Sequence, residues 1–234
     1  MSIVSKISNL FNDFEGLFYP RLCVSCEENL YRHEELICTK CLYNIPYTNY
    51  HLIDDNPVSR LFWGRVEVLK ATSFFHFDKG GKVQNLIHKF KYKGQKEIGL
   101  VLGQHFGEYL KDALGYSTVD LIVPVPLHAD KVKIRGYNQS EWIAKGLSLS
   151  MEIPFNSTNL IRVKATETQT KKTRWERWEN VRSVFKIVNP KLFANKHILL
   201  VDDVVTTGST LEACANMILE IENTKISISA LAKA

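Results

Sequence analysis

The chain has 234 residues, 45% of them hydrophobic, and a net charge of +5. That is apolar material for one substantial core plus a small appendage, and no apolar run approaches the roughly 20 residues of a membrane span. Asp13 and Glu15 interrupt the stretch where a signal peptide needs continuous apolar residues, so a cytoplasmic protein without a membrane span is expected.

Leu10, Phe11, Phe14, Leu17 and Phe18 stand at helical spacing and end at Pro20, which predicts an N-terminal helix docked through its apolar face. Two Cys-x-x-Cys knuckles follow, Cys23 with Cys26 and Cys38 with Cys41, separated by residues 27–37. Four thiolates form a tetrahedral set that fills a structural zinc site and leaves no open position for water. A hairpin over residues 27–37 is expected to close this module. Residues 42–65 carry Pro46, Pro57 and mixed polar side chains and read as a linker. The chain therefore divides into 1–64, an N-terminal helix with zinc module and linker, and 65–234, the main domain.

Residues 66–77 are rich in β-branched and aromatic side chains and predict a strand or hairpin. Val83, Leu86, Ile87 and Phe90 then repeat at helical spacing, in a helix that Gly94 can terminate. Its region is basic: five lysines and no acid lie between Lys82 and Lys96. A second helix buries Ile98, Val101, Leu102, Phe106, Tyr109 and Leu110. Residues 119–125 form a short apolar run, a strand, and residues 140–151 a further helix with Trp142, Ile143 and Leu147 inward. Strands at 198–201 and 226–231, with a helix at 209–221 between them, complete the pattern. Cys214, beside Ala213 and Ala215 in that helix, reads as core. Strands alternating with helices, two of them almost continuously apolar, predict a parallel sheet covered on both faces.

The chemistry gathers beyond the strands' carboxyl ends, where such sheets bind ligands. In Ile-Leu-Leu-Val-Asp-Asp-Val-Val-Thr-Thr-Gly-Ser-Thr, residues 198–210, an apolar strand ends in an acidic pair and a hydroxyl-rich loop opens a helix. Gly208 allows close approach of an anion. Thr206, Thr207, Ser209 and Thr210 add donors, and the helix start contributes positive potential, so the loop suits a phosphate. Asp202 and Asp203 would repel a bare phosphate but accept hydrogen bonds from vicinal hydroxyls, which points to a ribose carrying a 5-phosphate. Pro126, Leu127, His128 and Arg135 follow the 119–125 strand in a rigid, cationic loop suited to pyrophosphate. Solvated lysines at a strand exit are the plainer alternative. Eight basic and three acidic residues lie between Arg162 and Lys186, interleaved with Trp175 and Trp178. Such a mixture clamps phosphates and stacks on bases, or else makes a solvated hairpin. Lys89, Lys91, Lys93, Arg174, Trp175, Trp178 and Arg182 are the nucleic-acid candidates.

The stretch 198–210 closely resembles the phosphoribosyl pyrophosphate signature of type I phosphoribosyltransferases. That resemblance implies that Asp202 and Asp203 take the ribose 2- and 3-hydroxyls, that Thr206, Thr207, Gly208, Ser209 and Thr210 cradle the 5-phosphate, and that magnesium rides on the pyrophosphate. The ordered set of four-cysteine knuckle, Pro124-Val-Pro-Leu-His128 with Arg135-Gly-Tyr-Asn-Gln139, Thr168-Gln169 with Arg177 and Asn180-Val181, and then the Asp-Asp-Thr-Thr-Gly signature resembles the ComF family over residues 17–231. The family's usual Arg-Leu-Arg lead is here Lys131-Val-Lys133, which keeps the charge and loses the bidentate fork. ComF membership implies a type I phosphoribosyltransferase-like parallel sheet with helices on both faces and a small zinc module. It implies a mobile hood including Gln139, Gln169, Arg177 and Asn180. Phosphoribosyl pyrophosphate is the implied ligand, with single-stranded DNA and DNA-uptake proteins as possible partners. The implied role is in DNA uptake during natural transformation or in nucleotide metabolism, as a phosphoribosyltransferase or as a non-catalytic single-stranded-DNA binder that uses the pocket as a sensor. Glutaminase activity, which needs an N-terminal cysteine, is not expected, because Ser2 follows Met1.

Overall fold

The computed structural model describes residues 20–78, 80–163 and 184–234. The predicted N-terminal helix, and with it Gln169, Arg174, Trp175, Arg177, Trp178, Asn180 and Arg182, lie outside the described residues. Four parallel strands form the main sheet in the order β1 (Lys70–His76), β6 (Lys225–Lys233), β5 (His197–Val205), β2 (Leu121–Pro124). Both edges are covered. Thr48 N donates to the Phe74 carbonyl at 3.0 Å and His76 N to the Pro46 carbonyl at 2.9 Å beside β1. Beyond β2, Ile122 exchanges bonds with Pro154 and Asn156 at 2.9 Å each, a single parallel bridge in place of a fifth strand.

The sheet separates two hydrophobic clusters by simple alternation along β5. Leu199 and Val201 face one side, with helices α2 (Lys82–Tyr92), α3 (Glu97–Leu110) and α5 (Gln139–Met151) and the cysteine module. Ile198 and Leu200 face the other, with α6 (Ser209–Leu219), Val58, Phe62 and Phe193. Each fully buried Leu, Ile or Phe in these layers stabilises the fold by about 1.5–3 kcal/mol of transfer free energy. Helices α3 and α5 approach closely because small residues meet at the crossing. A Cβ on Gly103 would stand 2.4 Å from the Ile143 carbonyl oxygen, and one on Gly146 only 2.2 Å from that of Leu100. Neither position has room for a side chain.

The segment expected as a linker is ordered and packed. Asn56 Nδ2 donates to the carbonyls of Ile53 at 2.7 Å and Ala71 at 2.9 Å, while its Oδ1 accepts from Val58 N and Ser59 N. Val58 and Phe62 are fully buried against the sheet. In the cysteine module a short helix α1 (Thr39–Tyr43) follows the second knuckle, and a bridge between Leu22 and Asn29 takes the place of the expected hairpin. Glu34 pins the intervening loop by accepting from Thr39 N at 2.7 Å and Tyr31 N at 2.9 Å, and these N–H groups hold its carboxyl below the usual carboxylate range. Strands β3 (Leu160–Arg162) and β4 (Phe185–Ile187) pair antiparallel on either side of residues 163–184.

Candidate functional site

The acidic pair stands where β5 runs past the end of its ladder with β2 while still paired with β6. Asp202 lies opposite Ala230 of β6, and its side chain is turned toward the start of α5. There Ser140 Oγ donates to Asp202 Oδ1 at 3.0 Å, and the same oxygen accepts from Asp203 N at 2.8 Å. Burial pushes the Asp202 carboxyl up to about 7, and the charge of Asp203 adds to the rise, while the Asp203 N–H, the Ser140 hydroxyl and the Lys91 ammonium pull the other way. Two carboxylates this close do not both ionise freely. Asp203 has its own counter-ion: Lys91 Nζ, at the end of α2, is 2.9 Å from Asp203 Oδ2, with both side chains less than one-fifth exposed.

The loop after β5 has a fixed shape. Gly208 adopts φ +74°, a left-handed conformation that suits glycine, and it caps the N-terminus of α6. It is buried against the ring of Phe62, while Thr206, Thr207, Ser209 and Thr210 are exposed around it. The first N–H groups of a helix have no acceptor of their own, so this turn offers donors and positive potential to an anion. Thr207 and Ser209 share a hydroxyl hydrogen bond of 3.0 Å. Arg65 braces the loop from outside, donating to the Thr207 carbonyl at 3.0 Å and the Leu61 carbonyl at 2.8 Å and pairing with Glu212.

Across the cleft, β2 runs into Pro126, Leu127 and His128, all partly buried. The polar segment expected here folds into a further helix, α4 (Ala129–Arg135). His128 caps it, with Nδ1 accepting from Asp130 N at 3.2 Å, and Gly136 ends it at φ +83°. Arg135 lies over the Tyr92 ring, 5.6 Å from its centroid, and donates to Gln139 Oε1 at 2.9 Å. Gln139, expected in a hood, is the buried first residue of α5. Asn138 caps that helix, accepting from Ser140 N at 3.2 Å while its Nδ2 donates to the Val125 carbonyl at 3.0 Å. The Tyr137 hydroxyl donates to the Phe90 carbonyl, which ties the end of α2 to the same loop.

The structure thus gathers the acidic pair, the hydroxyl loop and the post-β2 loop at one end of the sheet. Of the nucleic-acid candidates among the described residues, Lys89 pairs with Glu27 at 2.7 Å and Lys91 with Asp203, while Lys93 is exposed beside Cys26, Glu27 and His88. Sequence reasoning missed Ser140, Arg65 and the site role of Lys91. Asn138 before an apolar helix is a capping signal that would have placed Ser140 in a first turn. Nothing in a lysine-rich helix marks which lysine has a buried acid partner.

The four knuckle sulfurs lie within 4.8 Å of one another, and those of Cys26 and Cys38 are 3.7 Å apart. Tetrahedral zinc–sulfur bonds of about 2.3 Å set sulfurs about 3.8 Å apart, so the cluster fits a metal ion of that kind. Backbone N–H groups of Cys38 and Ser25 point at Cys23 Sγ at 3.3 and 3.4 Å, and that of Cys41 at Cys38 Sγ at 3.4 Å. Such donors stabilise thiolates. Among the described residues no helix is long and apolar enough to cross a membrane.

Residues 122–234, which contain both loops, match the phosphoribosyl transferase domain. The chain is 27% identical to Competence protein F of Haemophilus influenzae, over 93% of this chain and 99% of that protein. It is 28% identical to DNA utilization protein YhgH of Escherichia coli, over 85% and 84% of the two chains. Competence protein ComFC of Bacillus subtilis is 26% identical, over 86% and 78%. At 93% coverage the alignment to Competence protein F spans the cysteine module as well as the sheet, and the chain is thus similar to ComF-type competence and DNA utilization proteins while carrying a type I phosphoribosyltransferase-like fold.

Proposed function

We propose that the protein binds phosphoribosyl pyrophosphate at the carboxyl end of β5 and β2 and serves the uptake or use of DNA in the cytoplasm. The observation that carries this reading is the succession of a partly buried acidic pair and a left-handed Gly208 turn at the start of α6, at the same end of the parallel sheet as the proline segment after β2. In this reading Asp202 and Asp203 accept from the ribose 2- and 3-hydroxyls. The hydroxyls and N–H groups of Thr206, Thr207, Gly208, Ser209 and Thr210 hold the 5-phosphate, and the segment from Pro126 to Arg135, a turn leading into α4, faces the pyrophosphate. The Asp202 and Asp203 carboxylates are hard oxygen donors that would suit a magnesium ion travelling with the ligand, and such an ion would supply charge neutralisation of the pyrophosphate. Transfer from C1 of the ribose needs no protein nucleophile, so the chain contributes orientation and charge. The names of its relatives, a competence protein and a DNA utilization protein, support the biological role. The cysteine cluster is assigned a structural zinc, because four protein thiolates leave no open coordination position.

Titration calorimetry with magnesium phosphoribosyl pyrophosphate tests the site. The double variant Asp202→Asn/Asp203→Asn keeps the shape and removes two charge-assisted acceptors, each worth roughly 1.5–3 kcal/mol, and affinity falls accordingly. An unchanged affinity in the double variant would falsify the ribose assignment. Release of pyrophosphate in the presence of a base or amine distinguishes a transferase from a sensor. DNA binding that weakens steeply with salt, without turnover, supports the sensor.

A further inference from the structure

The Lys91–Asp203 pair is the one feature of the site that the phosphosugar reading leaves unexplained. An ammonium 2.9 Å from Asp203 Oδ2 takes one oxygen of the carboxylate that a ribose hydroxyl would use, and the pair is largely shielded from solvent. A hydroxyl is a poor substitute for an ammonium as the partner of a buried carboxylate. Leaving that ammonium without an anion costs far more than one hydrogen bond returns. The pair therefore opens readily only for a ligand that brings a second anion within reach of Lys91.

The surroundings show where that anion has to lie. Lys91 is in the last turn of α2, between Phe90, whose carbonyl accepts from the Tyr137 hydroxyl, and Tyr92, whose ring carries the Arg135 guanidinium. These two contacts join the end of α2 to the loop that follows β2. Lys91 thus sits between the acidic pair and the loop assigned to pyrophosphate, on a stem long enough to turn from one to the other.

We propose that Lys91 sets the selectivity of the site by exchanging partners, leaving Asp203 for the C1 pyrophosphate when phosphoribosyl pyrophosphate binds and thereby rejecting ribose 5-phosphate, which has the same diol and 5-phosphate but no anion at C1. This rests on the phosphoribosyl pyrophosphate reading of the site and adds a residue that distinguishes ligand from product-like sugar phosphate. The unliganded pocket holds its own counter-ion, and the ligand's leaving group is what displaces it.

The test compares two ligands on three proteins. Calorimetric dissociation constants for magnesium phosphoribosyl pyrophosphate and for ribose 5-phosphate are measured on the full chain, on Lys91→Met and on Lys91→Arg, after thermal melts show each to be folded; Lys91→Gln replaces the Met variant if that one is not. In Lys91→Met the affinity for phosphoribosyl pyrophosphate falls roughly 10- to 100-fold, the loss of one charge-assisted contact. Affinity for ribose 5-phosphate holds or rises, so the preference collapses. Lys91→Arg keeps the preference, because the charge is kept. Equal losses for both ligands in Lys91→Met, or an undiminished preference, overturn the exchange while leaving the phosphosugar assignment standing. If the unsubstituted protein binds neither ligand, both ideas fall together.

Discussion

Replacing Gly208 by alanine tests the shape of the phosphate loop more sharply than removing any of its hydroxyls. The residue sits at φ +74°, where an L side chain costs about 1–2 kcal/mol. The added Cβ would meet two ring carbons of Phe62 at 3.0 and 3.1 Å and Leu61 Cβ at 3.5 Å. Phe62 is fully buried, so its ring can yield only a few tenths of an ångström before it strains the core, which adds up to about 1 kcal/mol. The lower entropy of an alanine chain in the unfolded state returns about 0.4–1 kcal/mol. The net expectation is a loss of about 1–2 kcal/mol, which lowers the urea midpoint by roughly 0.5–1 M. Ligand affinity falls as well, because the strained turn no longer presents its N–H groups in one arrangement. Pairing the change with Phe62→Leu identifies the contact, since a steric cause makes the two substitutions non-additive, with the double variant better than their sum. A Gly208→Ala protein with an unshifted midpoint and full affinity would refute the argument that backbone conformation and the Phe62 contact set this loop.

Asp202 gives a prediction in pH. Its folded carboxyl is raised to about 7 from an ordinary 3.8, so the fold favours the protonated form. The stability this contributes is fully present below about pH 3.8 and is lost as pH rises through 7. Urea midpoints of the unsubstituted protein should therefore decline more between pH 5 and 8 than those of Asp202→Asn, and parallel profiles would show that the carboxyl titrates normally. Ligand affinity runs the other way, rising as the carboxylate forms. For the cysteine cluster, one zinc per chain is expected by elemental analysis of protein purified without chelator, and Cys38→Ser should abolish it and lower the melting temperature. Absence of stoichiometric metal in the unsubstituted protein sinks the zinc assignment.

Much of this architecture is legible in the sequence because its strongest signals are also its strongest physical constraints. The run Ile198–Val201 is apolar at every position because both faces of β5 are covered, and the acidic pair follows where β5 extends beyond the end of β2. Helices α2, α3 and α5 declare themselves through Val83, Leu86 and Phe90, through Ile98, Leu102 and Phe106, and through Ile143 and Leu147, all buried. Helix α4 escapes such reading because it buries none of its residues and depends on the His128 cap and the Gly136 stop. The segment around Asn56 looks like a linker for a related reason. It is organised by one polar side chain bonded to backbone, and hydrogen bonds of that kind leave no periodic trace. Ion pairs are the least legible of all. Lys89 and Lys91 sit two residues apart on α2 and serve different acids, Glu27 in the cysteine module and Asp203 in the site.

The strand order carries a consequence for how the chain is made. Strand β1 pairs with β6, Lys70 opposite Ser227 and His76 opposite Lys233, so among the described residues its neighbour in the sheet is a strand made about 150 residues later. While the ribosome is still building residues 77–224, the uncharged, aromatic-bearing Ala71-Thr-Ser-Phe-Phe75 has its whole inner edge unpaired, and an open strand of this composition is a template for other chains. The contacts from Pro46 and Thr48 cover its outer edge with residues that have already emerged, and the Tyr47 ring meets Phe74 edge-on and Phe75 at a tilt. The sequence just upstream of the sheet thus acts as a chaperone in cis for its first strand. Proteins shortened to begin after Phe62 would lose that cover, and on this account they aggregate during synthesis even where the finished fold would tolerate the cut.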